Sequence, residues 1–270
     1  MNFLFFFIEC YVAVLLFRLI MTQQELTFNS IGKIIARLTN PIFAIKGKSK
    51  ADTDPLIPLF IALLTLAFGL LISVTGGSLF YIIIAFQKML KFLATFFIIS
   101  VFLGAMASPT TGAFPLYFYR LGNIFVKPAR KILPLKGNLI VIPAVIIVMV
   151  LFIAINSALV LLSVILDGAN FNIVGIIWKN FLLFLTCIVD IMGYMSGAVI
   201  IRALLSWVSP DPRNMIVQFI FYVTEPILAP LRKVIPPIGM LDLSAFVAIF
   251  GLMIAQQFLR QLIASMQGFL

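Results

Sequence analysis

Six long runs of apolar residues, separated by polar stretches, organise the chain. They cover 3–21, 55–77, 92–107, 139–166, 181–207 and 243–264. A helix needs about 20 mainly apolar residues to cross the hydrocarbon core of a bilayer, so these runs predict about six transmembrane spans. The shorter apolar stretch 79–91 carries Gln87, Lys88 and Lys91, and we expect it to lie along the membrane interface before the third span. The predicted fold class is all-α, a polytopic transmembrane helical protein.

The polar stretches at 22–54, 108–138 and 208–242 form loops between consecutive spans. In the first loop, apolar residues recur at helical spacing over 30–38 while the basic residues lie away from them, which predicts an amphipathic helix at the interface. In the third loop, Asp211-Pro212 predicts the start of a helix over 212–223. Glu225-Pro226 predicts its end, because the residue before a proline avoids the α conformation.

The composition excludes a water-soluble globular domain. Hydrophobic residues make up 63% of the chain and charged residues 10%, with a mean hydropathy of +1.20. The chain has no His, which removes the usual general base and the commonest metal ligand. Cys10 and Cys187 lie in apolar runs without C-x-x-C spacing, so small buried hydrophobes are favoured over a metal or redox site. We therefore expect no enzyme, no catalytic residue, no cofactor and no metal site.

The positive charge is concentrated in the three loops. They hold 13 of the 19 Lys and Arg residues, whereas the linkers 73–79 and 167–176 hold none. The positive-inside rule predicts cytoplasmic loops and outward termini in the inner membrane of a bacterial cell. Because the net charge of +10 lies beside apolar spans, anionic lipid headgroups are favoured over nucleic acid as the counter-charge.

The third loop carries a set of residues that returns, incompletely, in the other two. In order, these are Arg202, Ser206-Trp207, Asn214, Thr224-Glu225-Pro226, Pro230-Leu231-Arg232, Pro236 and Asp242-Leu243-Ser244. The first loop matches them with Arg18, Thr22, Asn29, Thr39-Asn40-Pro41 and Asp54. It lacks the P-x-R element.

The middle loop matches the third most closely around its basic pair. Pro128 to Pro134 aligns with Pro230 to Pro236; Asn123 then stands at the position of Glu225, Asn138 at that of Asp242, and Gly104 in place of the arginine. Internal similarity of this kind predicts three parallel hairpin repeats, each a span, an amphipathic interfacial helix and a span. Their boundaries are 1–77, 78–166 and 167–270, and the first two are degenerate.

The order of these residues resembles the YggT family of small integral membrane proteins, whose members commonly carry one or two repeats. Its motif maps onto Asn214, Thr224, Glu225, Pro226, Pro230, Asp242 and Ser244. The resemblance implies a non-enzymatic membrane scaffold or assembly factor in envelope or division-related organisation, and in plastid relatives in thylakoid complex assembly. The family's association with osmotic stress and ion uptake implies the alternative, a channel or transport component. The implied partners are membrane lipids and another membrane protein or a division or assembly complex.

Two acidic residues, Glu9 and Asp190, lie within apolar runs, where charge is costly and often functional. Nine residues turn a helix by about 180°, so Glu9 cannot pair with Arg18 on one helix face. Asp190 can pair with Lys179 or Lys91 of a neighbouring span. Three interpretations stay open: a structural ion pair, an ion or proton pathway, and simple proximity to the interface.

Basic residues at the span ends and after the loop prolines are the candidates for lipid or partner contact. These are Arg202, Arg232, Lys233, Arg130 and Lys131. Near an anionic leaflet each such residue contributes about 1 kcal/mol to binding. The alternative is that these charges set only the topology of the chain.

The topology predicts the labelling of single cysteines. In a background lacking Cys10 and Cys187, we expect cysteines at Ser49, Gly137 and Ser209 to resist a membrane-impermeant thiol reagent in intact cells and to react after permeabilisation. The reason is that the loops carrying most of the basic residues stay cytoplasmic. Ready labelling from outside the cell would invert the orientation.

Overall fold

The computed structural model describes residues 2–43, 56–76, 78, 80–106, 113–135, 137–167, 172–208, 211, 214–235 and 242–268. Within these ranges the chain is helical, without strands. The helices are α1 Asn2–Ile20, α2 Gln23–Phe28, α3 Ser30–Phe43, α4 Leu56–Gly76, α5 Phe80–Met106, α6 Ala113–Ile132, the 3-10 turn Gly137–Ile140, α7 Val141–Asp167, α8 Ile173–Val208, α9 Met215–Val234 and α10 Leu243–Met266. The predicted all-α class is confirmed.

Long apolar helices confirm the predicted polytopic membrane fold. In the part of the chain that the structure describes, five helices are long and apolar enough to cross a bilayer: α4, α5, α7 with its preceding turn, α8 and α10. The first predicted span corresponds to α1, a 19-residue helix outside this group of five. Membrane crossing by α1 and the division into three repeats stay predictions.

Helix α5 occupies the centre of the helix array, where it packs against α4, α6, α7 and α8. Buried apolar side chains of α1, α4 and α5 form one cluster, and those of α5, α7 and α8 form a second. In the second cluster the ring centroids of Phe152 and Phe184 lie 5.7 Å apart. Since lipid tails are as apolar as these side chains, close packing stabilises the array more than removal from water does.

The structure corrects the prediction of a separate interfacial segment at 79–91. From Phe80 onward that stretch is part of α5, a single continuous helix of 27 residues, and residue 79 lies outside the described part of the chain. The prediction was wrong because it treated the lysines as a reason to leave the membrane. Lys91 instead forms an ion pair with Asp190 of α8, 2.8 Å away, so its charge is balanced inside the array.

Helix α8 is also longer than the apolar run that predicted it, since it begins at Ile173 and not near residue 181. The polar residue Asn180 lies inside the helix because its amide is hydrogen-bonded to α7. Asn156 donates to Asn180 at 2.7 Å, and Asn180 donates to Ser157 at 2.8 Å. Interhelical hydrogen bonds of this kind let a polar residue continue a membrane helix.

The amphipathic helix of the third loop differs from its prediction at both ends. Its N-cap is Asn214, whose side-chain oxygen accepts from the backbone N–H of Ile216 at 2.9 Å. The predicted start, Asp211-Pro212, was therefore too early, and residues 212–213 lie outside the described part of the chain. At the other end, α9 continues to Val234. The prediction that Glu225-Pro226 ends the helix was wrong.

Prolines inside all three amphipathic helices explain that error. Pro41 lies within α3, Pro128 within α6, and Pro226 and Pro230 within α9. An internal proline removes one backbone hydrogen bond and strains the preceding turn. Pro226 leaves the carbonyl oxygen of Tyr222 without its helical donor. In the same turn, Arg202 donates to the carbonyl oxygen of Phe221 at 3.3 Å and so ties this part of α9 to α8. Tertiary contact thus supports a helix that the local rule would end.

Two glycines bring α5 and α6 into backbone contact. A Cβ on Gly122 would lie 2.8 Å from the carbonyl oxygen of Ser100, and one on Gly104 would lie 2.8 Å from the Cα of Tyr119. Since backbone atoms cannot move aside like a flexible side chain, these positions require glycine. Gly104 is the residue that stands in place of the arginine of the third loop, so close helix contact occurs where the other loops have a large cation.

This contact predicts the effect of a single methyl group. Gly122→Ala should lower the free energy of unfolding by about 1–3 kcal/mol, because the new Cβ overlaps the backbone of α5. Thermal unfolding of the purified protein in detergent measures the loss. Gly197→Ala in α8 is the matched control, since nothing lies within 4 Å of that Cβ. Equal stability of the two variants would contradict the close approach.

Candidate functional site

Arg202, near the end of α8, is buried with only 6% of its surface exposed. Its Nη1 donates to the Thr224 hydroxyl at 2.8 Å, and its Nη2 lies 2.7 Å from a carboxylate oxygen of Glu225. The guanidinium also lies over the ring of Phe221, 4.2 Å from its centroid. One arginine therefore holds the amphipathic helix α9 against the membrane span α8.

Glu225 connects this contact to a second arginine and to the last span. One Glu225 carboxylate oxygen lies 3.8 Å from Arg232, and Arg232 donates to Asp242 through Nε at 3.0 Å and Nη2 at 2.6 Å. The two-donor contact of Arg232 with Asp242 fixes orientation as well as distance. We call Arg202, Thr224, Glu225, Arg232 and Asp242 the arginine network; it joins α8, α9 and the start of α10.

Asp242 has a second role as the N-cap of α10. Its other carboxylate oxygen accepts from the backbone N–H of Ser244 at 3.1 Å and from the Ser244 hydroxyl. Partial burial raises the pKa of Asp242, but the hydrogen bonds from Ser244 and Arg232 together hold it below the ordinary aspartate value. Because the folded-state pKa is lowered, this stabilisation is present at neutral pH and is lost only as the pH falls through that lowered pKa.

The first loop builds a similar contact with a shorter set of residues. Arg18 of α1 is buried and donates to the Thr39 hydroxyl and, at 2.8 Å, to the side-chain oxygen of Asn40. These residues aligned with Arg202, Thr224 and Glu225 by spacing, and they take the same places in the contact. In the first loop the amide oxygen of Asn40 accepts from the arginine, as the Glu225 carboxylate does in the third loop. Asp54, the predicted counterpart of Asp242, lies outside the described residues.

The loop asparagines also have equivalent roles. Asn29 accepts from the backbone N–H of Ile31 at 3.1 Å at the start of α3, as Asn214 accepts from Ile216 at the start of α9. Asn29 and Asn214, which the sequence comparison placed at equivalent positions of the two loops, therefore have the same role: each caps an amphipathic helix.

The loops also bind one another through α6. Arg120 donates to both carboxylate oxygens of Glu25, at 2.7 and 3.0 Å, and Asn29 donates to the Tyr117 hydroxyl at 2.9 Å. Burial raises the pKa of Glu25, but the hydrogen bonds from Arg120 and Thr22 outweigh it and hold that pKa below the usual range. The first and middle loops are thus joined by an ion pair.

On its other side α6 contacts the third loop. The rings of Phe118 in α6 and Phe219 in α9 stack with their centroids 5.3 Å apart. Beside them, the Tyr222 hydroxyl of α9 donates to the carbonyl oxygen of Leu103 in α5 at 3.0 Å. Through α6, the three amphipathic helices form one continuous layer at the loop side of the spans. We call α3, α6 and α9 the interfacial layer.

A second polar site lies halfway along the spans. A cavity of about 270 Å³ is lined by Phe5, Glu9, Lys88, Lys91, Phe92, Thr95, Asp190 and Tyr194. Asp190 pairs with Lys91 at 2.8 Å, one of the two predicted partners, and also with Arg260 of α10 at 2.7 Å. The structure therefore shows Asp190 in an ion pair, beside a cavity that also contains Glu9. The other predicted partner of Asp190, Lys179, is exposed.

The residues predicted to contact lipid differ in their exposure. Lys233, Arg130 and Lys131 are exposed, whereas Arg202 is buried and bound within the protein. Arg232 is intermediate and is held by Asp242. The proposed headgroup contact therefore suits the exposed three, and not Arg202.

Sequence reasoning missed Arg260 and the Asn156–Asn180 pair. Arg260 lies 70 residues from Asp190, and no local spacing links the two. A signal existed in the polarity of an otherwise apolar last span, in which Arg260 is the single charge between 243 and 266. The interhelical amide pair had no comparable signal beyond the presence of asparagine in a span.

The network predicts an asymmetric response to changes at Glu225. Glu225→Leu should lower the free energy of unfolding by about 2–3 kcal/mol, because it leaves the buried guanidinium of Arg202 without its carboxylate partner. The loss comes from Arg202, since Glu225 itself is half exposed. Glu225→Gln should cost about 1 kcal/mol or less, since an amide oxygen serves at Asn40. Chemical unfolding in detergent measures both. Adding Arg202→Met to Glu225→Leu should recover part of the loss, and equal losses for Gln and Leu would contradict this account.

Comparisons with known proteins identify relatives of the chain. The family model described as CCB3/YggT matches residues 181–263, the part of the chain that contains the arginine network. An uncharacterized protein in proC 3'region of Vibrio alginolyticus is 31% identical over 159 residues, 58% of this chain and 82% of that protein. An uncharacterized protein of Pseudomonas aeruginosa is 38% identical over 71 residues, 26% of this chain and 36% of that protein. No solved structure matches the chain. By its match along most of the Vibrio protein and by the family model over the third loop and its flanking spans, the chain belongs to the CCB3/YggT family.

Proposed function

We propose that this protein is a non-enzymatic membrane scaffold or assembly factor whose interfacial layer receives another membrane protein, in envelope or division-related organisation. The observation that carries the proposal is the way the layer is held. Buried Arg18 and Arg202 bind α3 and α9 to their spans, and Glu25–Arg120 joins α2 and α6. An interfacial helix needs no such anchoring to rest on lipid. Anchoring it to the spans preorganises a surface for a partner and reduces the entropy lost on binding.

A groove at the edge of the layer provides a place for that partner. It has a volume of about 650 Å³ and is lined by Met106, Val217, Gln218, Phe221, Tyr222, Glu225, Pro226 and Ala229. Most of the lining is apolar, and Gln218 and Glu225 are its polar members. Pockets of about 300–1,000 Å³ bury a drug-sized apolar group, and a side-chain cluster from a helix is of similar size. The groove therefore suits the apolar face of a partner's membrane or interfacial helix.

Exposed lysines at the ends of the interfacial helices support the same role. Lys131 follows Arg130 in the last turn of α6, and Lys233 is in the last turn of α9. If these ends lie at the headgroup layer, each charge adds about 1 kcal/mol of attraction to an anionic leaflet. We propose that they keep the layer in the cytoplasmic leaflet, where a partner meets it.

Site-specific photocrosslinking in native membranes tests the scaffold. A photoreactive residue at Met106 or Ala229 in the groove should give the same protein adduct, and a photoreactive residue in that partner should crosslink back to the groove. Phe250, an exposed apolar residue of α10, is the control position and should label lipid only. Filling the groove with Ala229→Trp should abolish the Met106 adduct while leaving thermal stability unchanged. Identical protein adducts from Phe250 and the groove would contradict a specific site.

The charged cavity beside Asp190 favours transport as the second candidate function. A cation flux assay in reconstituted vesicles discriminates between the scaffold and the transport component. It compares the parent protein with Asp190→Asn and with Lys179→Gln, a control at an exposed lysine of the same helix. As a scaffold, the parent should carry no cation flux in reconstituted vesicles. Asp190→Asn should lose about 2 kcal/mol of stability, because Lys91 and Arg260 lose their carboxylate. A robust flux in the parent that disappears in Asp190→Asn would replace the scaffold with a transport component.

A further inference from the structure

The middle loop has a cavity where the third loop has its arginine network. This cavity, about 160 Å³ in volume, lies between α5, α6 and the 3-10 turn. Its lining includes Gly104, Gly122, Asn123, Arg130 and Asn138. At one constant offset of 102 residues, Gly122, Asn123 and Arg130 stand at the positions of Thr224, Glu225 and Arg232. Gly104 and Asn138 stand four and two residues from the positions that this offset gives for Arg202 and Asp242. Every member of the network thus has a counterpart, at or near its position, around one cavity.

The substitutions leave this cavity with an unbalanced positive charge. The network contains two cations and two carboxylates, so its charges cancel. In the middle loop both carboxylates are replaced by the amides Asn123 and Asn138, and one arginine is replaced by Gly104. Only Arg130 keeps its charge.

Among the residues that the structure describes, Arg130 pairs with no carboxylate, in contrast to Arg232, which is bound to Asp242. A guanidinium presents five N–H donors in a planar fork that matches the oxygens of a carboxylate or a phosphate. The amides of Asn123 and Asn138 can add neutral donors on the same cavity wall. Gly137, with a φ of 68°, allows the turn that places Asn138 there.

We propose that this cavity binds a phosphate group, with Arg130 as the charged ligand and Asn123 and Asn138 as neutral donors. A water molecule occupies about 30 Å³ of liquid, so the cavity has room for roughly five waters or for one tetrahedral oxyanion with its first waters. Arg130 lies in the last turn of α6, in the interfacial layer, where both lipid headgroups and soluble phosphates have access. The shared chemistry is an anionic phosphate oxygen cluster.

The third loop provides the design of the decisive variant. Asn138→Asp restores the carboxylate that Asp242 supplies to Arg232, so it should pair with Arg130 and exclude the phosphate while preserving the fold. Arg130→Gln should weaken binding about tenfold or more, because it removes a charge-assisted bidentate contact. Lys127→Gln is the control for net charge: it lies on the same helix, is exposed and does not line the cavity.

The measurement uses the full chain in detergent at low ionic strength, with two probes. Calorimetric titration with inorganic phosphate and native mass spectrometry of retained phosphatidylglycerol, with phosphatidylcholine for comparison, distinguish a free anion from a lipid headgroup. We expect the parent and Lys127→Gln to bind at least one probe equally, and Asn138→Asp and Arg130→Gln to lose it at unchanged thermal stability. Unaltered binding by Asn138→Asp, an equal loss in Lys127→Gln, or no binding of either probe by the parent overturns the proposal.

Discussion

A guanidinium buried near the end of a long apolar helix has to be satisfied by the protein itself, and much of this structure depends on that requirement. Arg202 meets it with Thr224 and Glu225, and Arg18 meets it with Thr39 and Asn40. In both places the acceptors come from the amphipathic helix in the loop that follows the apolar helix. The cost of burying the charge thereby becomes a constraint on geometry, because α3 and α9 cannot leave the spans without stranding an arginine.

The same constraint explains the order of residues in the third loop. Arg202 lies on α8, Glu225 and Arg232 lie on α9, and Asp242 caps α10, so the network crosses three helices within one loop. Spacing along the chain reflects the number of residues needed to bring these groups together across helix ends. The contacts of the motif residues therefore fix the loop, and the side chains around them form the surface that we propose for a partner.

The middle loop shows that one architecture can be kept by a different interaction. Where the arginine is replaced by Gly104, the helices approach until backbone atoms touch, and Gly122 permits the same approach from α6. Packing replaces ion pairing as the force that holds the interfacial helix. Arg130 and Asn138 are then released from the structural role that Arg232 and Asp242 keep. This difference from the third loop is the basis of the phosphate site that we propose for the middle loop.

Local patterns in the sequence determined the fold class, five of the spans, the amphipathic loop helices and the residues of the motif. Hydropathy, charge and cap chemistry are properties of neighbouring residues, and each can be recognised within a few turns. The ion pair of Asp190 with Lys91 was one of two predicted pairings, because the sequence showed a costly charge but not which span faced it.

Only the tertiary structure decided the rest. It buried Arg202, which had been expected at the headgroups; it carried α9 through Pro226, where the local rule ends a helix; and it added Arg260 to Asp190 across 70 residues. Each of these outcomes depends on interactions between atoms of different helices. The energies of such interactions cannot be recognised from a pattern of neighbouring residues in the sequence.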